Sequence, residues 1–228
     1  MNGLELRIFE EVGLEVRAGD GADAKRKIAG TAVVYNRLST PIYGLFREQF
    51  APGAFTKVLK NADVRALFNH DPNLIVGRTK SGTLILTDSD TGLRFEVDPP
   101  ATPWADGLIE SIRRRDIDQV SFAFRALKDK WTGTLDAPIR TVIEADIRDV
   151  SPVTYAAYPQ TDVHLRSDMG GEDKLTALMG LAYRSAALSH ADEAELRKAI
   201  AKRIEHDTEE PWRDLDLMRR HIAQKARE

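Results

Sequence analysis

Hydrophobic and polar positions alternate in short bursts along the first 166 residues. Leu4-Leu6-Ile8 and Leu14-Val16 begin the series, followed by Ile28 to Tyr35, Val64 to Phe68, Leu84 to Leu86 and Leu93-Phe95-Val97. Val120 to Phe124 and Ile143-Ala145-Ile147 complete it. A period of two is the signature of half-buried strands, and turn residues such as Ala18-Gly19-Asp20-Gly21 and Ser81-Gly82-Thr83 separate the bursts. Strands without a regular strand–helix rhythm predict a mainly β (α+β) barrel or sandwich rather than a doubly wound parallel sheet. One longer helix interrupts them: Thr102 is placed to cap it, Pro103 suits its first turn, and Trp104, Leu108 and Ile112 recur at helical spacing. It runs into Arg113-Arg114-Arg115, a basic end that complements the helix dipole. A shorter helix is expected over 53–61, and the stretch from Lys128 to Pro138 reads as a loop carrying Trp131.

The pattern changes after residue 166. The stretch 167–173 reads as a linker, and 174–228 is rich in Ala, Leu, Glu, Lys and Arg with apolar stripes of period 3.6. Leu175, Leu178, Met179 and Ala182 form one stripe, Leu196, Ile200 and Ile204 a second, and Trp212, Leu215, Met218 and Ile222 a third. Three amphipathic helices are expected, needing a partner surface on the β domain, on one another or in an assembly.

Composition narrows the function classes. A net charge of −3, and 22 Lys and Arg against 23 Asp and Glu over 1–166, disfavour a specific nucleic-acid binder, which would interleave basic and aromatic residues on its strands. The absence of cysteine removes disulfides, thiolate metal sites and cysteine catalysis, and with no apolar N-terminal stretch the expectation is an intracellular, unexported protein. No apolar run approaches the ~20 residues that cross a bilayer as a helix, so no membrane segment is expected.

Two residues stand out against this background. His70 is the only histidine before residue 164 and closes the run Val64-Arg65-Ala66-Leu67-Phe68-Asn69-His70-Asp71-Pro72. Ser121 lies between Val120 and Phe122-Ala123-Phe124, where alternation turns its hydroxyl away from the large apolar neighbours and toward a groove. A serine becomes nucleophilic when an imidazole takes its proton, and the imidazole needs an orienting partner. On the strand Thr141 to Ile147, the apolar set 143, 145 and 147 leaves Glu144 and Asp146 on the other face, both available for that role. Asp71 follows His70 directly and reads better as an Asp-Pro turn. No Gly-x-Ser-x-Gly elbow surrounds Ser121, which argues against an α/β-hydrolase.

The order of several segments carries more weight than any one of them. Glu48-Gln49-Phe50-Ala51-Pro52-Gly53-Ala54-Phe55, Ala66 to Pro72, Val76-Gly77-Arg78-Thr79, Thr91-Gly92-Leu93, Ile112-Arg113-Arg114, Val120 to Phe124 and Asp149 to Thr161 follow in sequence. Over about residues 28–166 the chain resembles the prohead maturation protease family of tailed bacteriophages. The resemblance implies a serine endopeptidase with a fold like that of the herpesvirus assemblins, a closed β-barrel of about seven strands with flanking helices. The β-rich texture places the protease domain at 1–166, and the helical tail lies outside the resemblance. Carried across residue by residue, the family's histidine falls on His70, its serine on Ser121, and its third residue nearest to Glu144. The implied substrates are the major capsid protein, its scaffold segment or a separate scaffold, and the enzyme itself. The implied setting is the assembling procapsid in the host cytoplasm, with the enzyme as a homodimer or higher homo-oligomer. No metal or cofactor is implied. Within that pattern, Arg115 stands where glycine is common and Ala156 where proline is common. The helical tail is expected to target the enzyme, to act as a scaffold-like element or to be removed by self-cleavage.

Overall fold

The computed structural model describes residues 4–9, 13–18, 26–155 and 190–209. Its strands are β1 (Glu5–Phe9), β2 (Glu15–Arg17), β3 (Lys27–Val34), β4 (Arg47–Phe50), β5 (Arg65–Phe68), β6 (Asp71–Arg78), β7 (Leu84–Asp88), β8 (Gly92–Val97), β9 (Gln119–Thr134) and β10 (Ala137–Val153). Among the described residues three helices accompany them, α1 (Thr56–Leu59), α2 (Pro103–Arg113) and α3 (His190–Glu209).

The strands form two sheets rather than one closed barrel. One runs β1-β9-β10-β5-β6, with β4 also paired to β10, and the other runs β2-β3-β8-β7. A closed barrel needs every edge strand hydrogen-bonded to a neighbour. Among the described residues β1 and β6 end the first path and β2 and β7 the second. Among the described residues the bridge Tyr35 to Phe50 and the Asn36 N–H bond to Phe50 C=O join the sheets at one corner, and side chains pack between them elsewhere. Alternation specifies which residues face inward and not which edges pair, so the closed barrel expected above is corrected to two packed sheets.

One core lies between them. Ile28 and Val33 of β3 and Leu93, Phe95 and Val97 of β8 pack into the cluster that holds Val120, Phe122 and Phe124 of β9 and Ile147 and Val150 of β10. Leu108, Ile109 and Ile112 of α2 join it, the face that the helical spacing selects. The start of α2 at Pro103 agrees with the sequence reading, but the Thr102 hydroxyl makes no capping bond and is buried without a partner. Arg115 ends the helix with φ +63° while its N–H bonds Ile112 C=O at 3.0 Å, a left-handed conformation for which glycine is best suited.

The stretch read as a loop from Lys128 is the outer half of a long hairpin, with Trp131 of β9 opposite Arg140 of β10. Trp131 is fully buried, in a second cluster with Leu45, Phe46 and the Leu196, Ile200 and Ile204 stripe of α3. The first and third tail stripes, Ala156 and the linker 167–173 lie outside the described residues.

Candidate active site

Ser121 and Asp149 come from adjacent strands, and His70 from the turn that follows a third. In the antiparallel pair β9–β10, Ser121 stands opposite Ser151 and Ala123 opposite Asp149, so all four side chains belong to one face. Strand β5 runs parallel on the far side of β10, with Arg65 beside Asp149 and Ala66 beside Val150. His70 follows the end of β5 and reaches back across β10.

The turn that delivers His70 has a specific backbone. Phe68 of β5 pairs with Asp71 of β6, so Asn69 and His70 are the two central residues of a tight hairpin. Both have positive φ, +52° and +57°, as a type I′ turn requires. Asparagine suits the first position, whereas a histidine in the second is strained by about 1–3 kcal/mol and is held there by its surroundings. Asn69 supplies part of the hold: its N–H donates to Pro152 C=O at 3.0 Å, its Oδ1 accepts from Thr154 N–H at 2.9 Å, and its Nδ2 donates to Thr154 Oγ1 at 3.2 Å.

The imidazole is bonded at both nitrogens. Nε2 lies 2.6 Å from Ser121 Oγ and Nδ1 lies 2.6 Å from Asp149 Oδ1. With an ionised carboxylate at Nδ1, the neutral ring carries its proton there and leaves Nε2 free to accept from the serine hydroxyl. Ser121 is 1% exposed, so it is covered beneath this arrangement instead of standing open on a groove as alternation had indicated. Ser151 is fully buried and donates from Oγ to Asp149 Oδ1 at 2.8 Å.

Glu144, expected as the third residue, is elsewhere. Its carboxylate pairs with Lys57 of α1 at 3.0 Å, and Asp146 pairs with Arg125 at 3.3 Å. Asp71 Oδ1 accepts from Asn73 N–H at 2.8 Å, closing a local Asx-type turn as its Asp-Pro sequence indicates. The carboxylate at His70 Nδ1 is that of Asp149, which sequence alternation had not offered. The signal that could have found it is local: Asp149-Val150-Ser151 opens the last segment of the ordered resemblance and keeps two polar side chains at alternate positions.

Three arginines on the strands are also placed. Arg78 forms a paired bond to Asp63 at 2.7 and 2.6 Å, Arg125 faces Asp146, and Arg148 is exposed. Arg113 and Arg114 of the basic run pair with Glu110 and Asp116 at the surface, the ordinary role of a helix-terminal cluster. Among the described residues no group of three or more His, Asp or Glu side chains is arranged to hold a metal ion, and no helix is long and apolar enough to cross a membrane.

No curated protein matches the chain. Among solved structures, the bacteriophage T4 capsid assembly protease gp21 matches with a TM-score of 0.46 and 16% identity, over 66% of this chain and 96% of that one. The family described as caudovirus prohead serine protease matches residues 13–174, a span containing His70, Ser121 and Asp149. The chain therefore belongs to that family and is a serine-type protease of the phage prohead.

Proposed function

We propose that Ser121, His70 and Asp149 are the catalytic triad of an endopeptidase that cuts capsid and scaffold polypeptides inside the assembling procapsid. The observation that carries this reading is the continuous chain Ser121 Oγ–His70–Asp149 Oδ1, with 2.6 Å at each link. Ser121 Oγ attacks the scissile carbonyl as its proton passes to His70 Nε2. The imidazolium that forms is stabilised through Nδ1 by Asp149 and then protonates the leaving amine. Water, deprotonated by the same nitrogen, hydrolyses the acyl-enzyme and regenerates Ser121. In this assignment Asp149 takes the role expected of Glu144.

The family supports capsid proteins as substrates. The finer reading is that the scaffold segment of the major capsid protein, or a separate scaffold, is cut, and that the protease cuts itself. It acts as a homodimer or higher oligomer in the procapsid in the host cytoplasm, without metal or cofactor. In the same reading residues 1–166 carry the protease and the tail beyond 173 takes it into the shell.

The test is co-expression with the cognate capsid and scaffold proteins, following intact masses beside a Ser121→Ala version. Defined fragments with the wild type and whole partners with Ser121→Ala are expected, and the masses give the cleavage sites. Uncut partners in normally assembled shells with both versions would overturn the reading in favour of a non-enzymatic assembly role.

A further inference from the structure

Ser151 is a buried hydroxyl in the site that the proposed mechanism does not use. It stands on β10 opposite Ser121, is fully buried, and donates to Asp149 Oδ1 at 2.8 Å. That oxygen is the one that meets His70 Nδ1 at 2.6 Å, and Ser151 Oγ is itself 3.3 Å from Nδ1. The imidazole is thus flanked by a serine at each nitrogen, one proposed as nucleophile and one tied to the orienting carboxylate.

We propose that Ser151 is a positioning residue for proteolysis, fixing the rotamer of Asp149 so that Oδ1 receives the Nδ1 proton of His70 and Nε2 stays an acceptor. This rests on the Ser121–His70–Asp149 reading. A carboxylate on its own can swing about its side-chain torsions and present either oxygen. A donor from a fully buried neighbour on the same strand face selects one, because abandoning the bond would leave the Ser151 hydroxyl buried without a partner. Asp149 is the charged group bonded to His70 among the described residues. On β5 the neighbouring Arg65 is held by Asp63 at 3.4 Å, and on β6 Asp71 is turned to Asn73.

The role is read without knowledge of the natural substrate by labelling the full chain with diisopropyl fluorophosphate and following its intact mass. Ser121 Oγ forms the bond to phosphorus, fluoride leaves, and the serine proton passes to His70, so the rate constant reports activation of the serine. The acid limb of its pH profile reports protonation of His70. Ser151→Ala is expected to label about tenfold more slowly, the lower end for loss of a hydrogen bond to a charged group. Its acid limb should move to lower pH, because a carboxylate no longer held on Nδ1 stabilises the imidazolium less. Ser151→Thr, which keeps the hydroxyl, should restore the position of the limb. A merely structural role would lower the labelled amplitude and the melting temperature and leave rate constant and limb in place. Wild-type rate and limb in Ser151→Ala, with Asp149→Asn unreactive, overturn the role of Ser151 and leave the triad standing. Wild-type labelling of Asp149→Asn overturns the triad, and the role of Ser151 with it.

Discussion

Ile147 and Asp149 lie two residues apart on β10 and face opposite sides of the sheet. Ile147 pairs with Phe124 in the core, whereas Asp149 pairs with Ala123 on the face of Ser121. Regular strand geometry would put both side chains on one face. The register shifts between them, with Arg148 as the extra residue, and such a bulge reverses the inside–outside pattern beyond it. Val150 is then the next core residue, and Asp149 and Ser151 reach His70.

Exchange at positions 149 and 144 separates the two candidate orienters. Asp149→Asn keeps the shape but favours the wrong imidazole tautomer, so proteolysis should fall by up to about ten-thousand-fold. Glu144→Gln loses only a half-exposed pair with Lys57 and should stay within about twofold of wild type. Cleavage rates on the capsid or scaffold substrate check both, and equal losses at the two positions would refute the assignment.

The turn that carries His70 gives a second prediction. Asn69→Ala removes both side-chain bonds to Thr154 and puts a residue poorly suited to positive φ at the first turn position. Stability should drop by about 1–2 kcal/mol, because Asn69 is exposed and its bonds compete with water. Activity should fall further than the folded fraction does, since the turn aims the imidazole. Denaturant melts and cleavage rates on the same preparation separate the two effects.

These residues show where the sequence was readable. His70 and Ser121 were legible, because a histidine ending one apolar run and a serine within another are rare chemistry on a regular pattern. Eight of the strands were legible for the same reason, among them β3, β8 and the first half of β9. β4 and β6 were not, since Arg47-Glu48-Gln49-Phe50 and Asp71-Pro72-Asn73 carry polar residues and a proline where a strand pattern would be apolar. Asp149 was hidden by the bulge: the alternation of 143, 145 and 147 extends to 149 and places it in the core. Barrel closure was hidden because it depends on hydrogen bonding between edges, which side-chain pattern does not encode.

Arg115 offers a stability gain away from the site. Its left-handed backbone at the end of α2 costs an ordinary residue about 1–2 kcal/mol, and glycine avoids that at some expense in chain entropy. Arg115→Gly should raise stability by a few tenths to about 1 kcal/mol with cleavage unchanged. A lower denaturation midpoint would show that the arginine makes a compensating contact.

A buried charge cluster predicts how the fold responds to acid. Arg140 bonds Glu5 at 2.7 Å, Glu48 at 2.8 Å and Asp129 at 2.6 Å, and Arg7 bonds Glu5 and Glu48 at 2.6 Å each. Burial, the largest influence, pushes the Glu5 carboxyl up, but Arg140 and Arg7 together outweigh it and hold it below its ordinary value of 4.5. A group whose proton affinity is lowered by folding stabilises the fold above its unfolded value, and that contribution drains away as pH falls through the folded one. Glu5→Gln should therefore be less stable at neutral pH and lose less additional stability below about pH 4.5. Urea midpoints across that range test it, and parallel curves for variant and wild type would refute it.

The docking of α3 supplies the last prediction. Leu196, Ile200 and Ile204 recur every four residues, so they line one face of the helix, and they close over Phe46 and Trp131, whose rings meet edge-on at 5.0 Å. Asp207 of α3 also accepts the backbone N–H of Trp131 at 2.7 Å, so one helix covers both the side chain and the main chain of β9. This cluster is separate from the core between the sheets, and its loss should release the helix locally without unfolding the domain. Ile200→Ala leaves a cavity in a fully packed position and weakens the docking by about 2–5 kcal/mol. The expected readouts are faster hydrogen exchange at the Trp131 amide and red-shifted tryptophan emission. Labelling of Ser121 should be retained, because that serine sits at the opposite end of β9. If exchange at Trp131 is unchanged, the helix is not what protects it. If labelling is lost as well, the outer hairpin and the catalytic face form one cooperative unit.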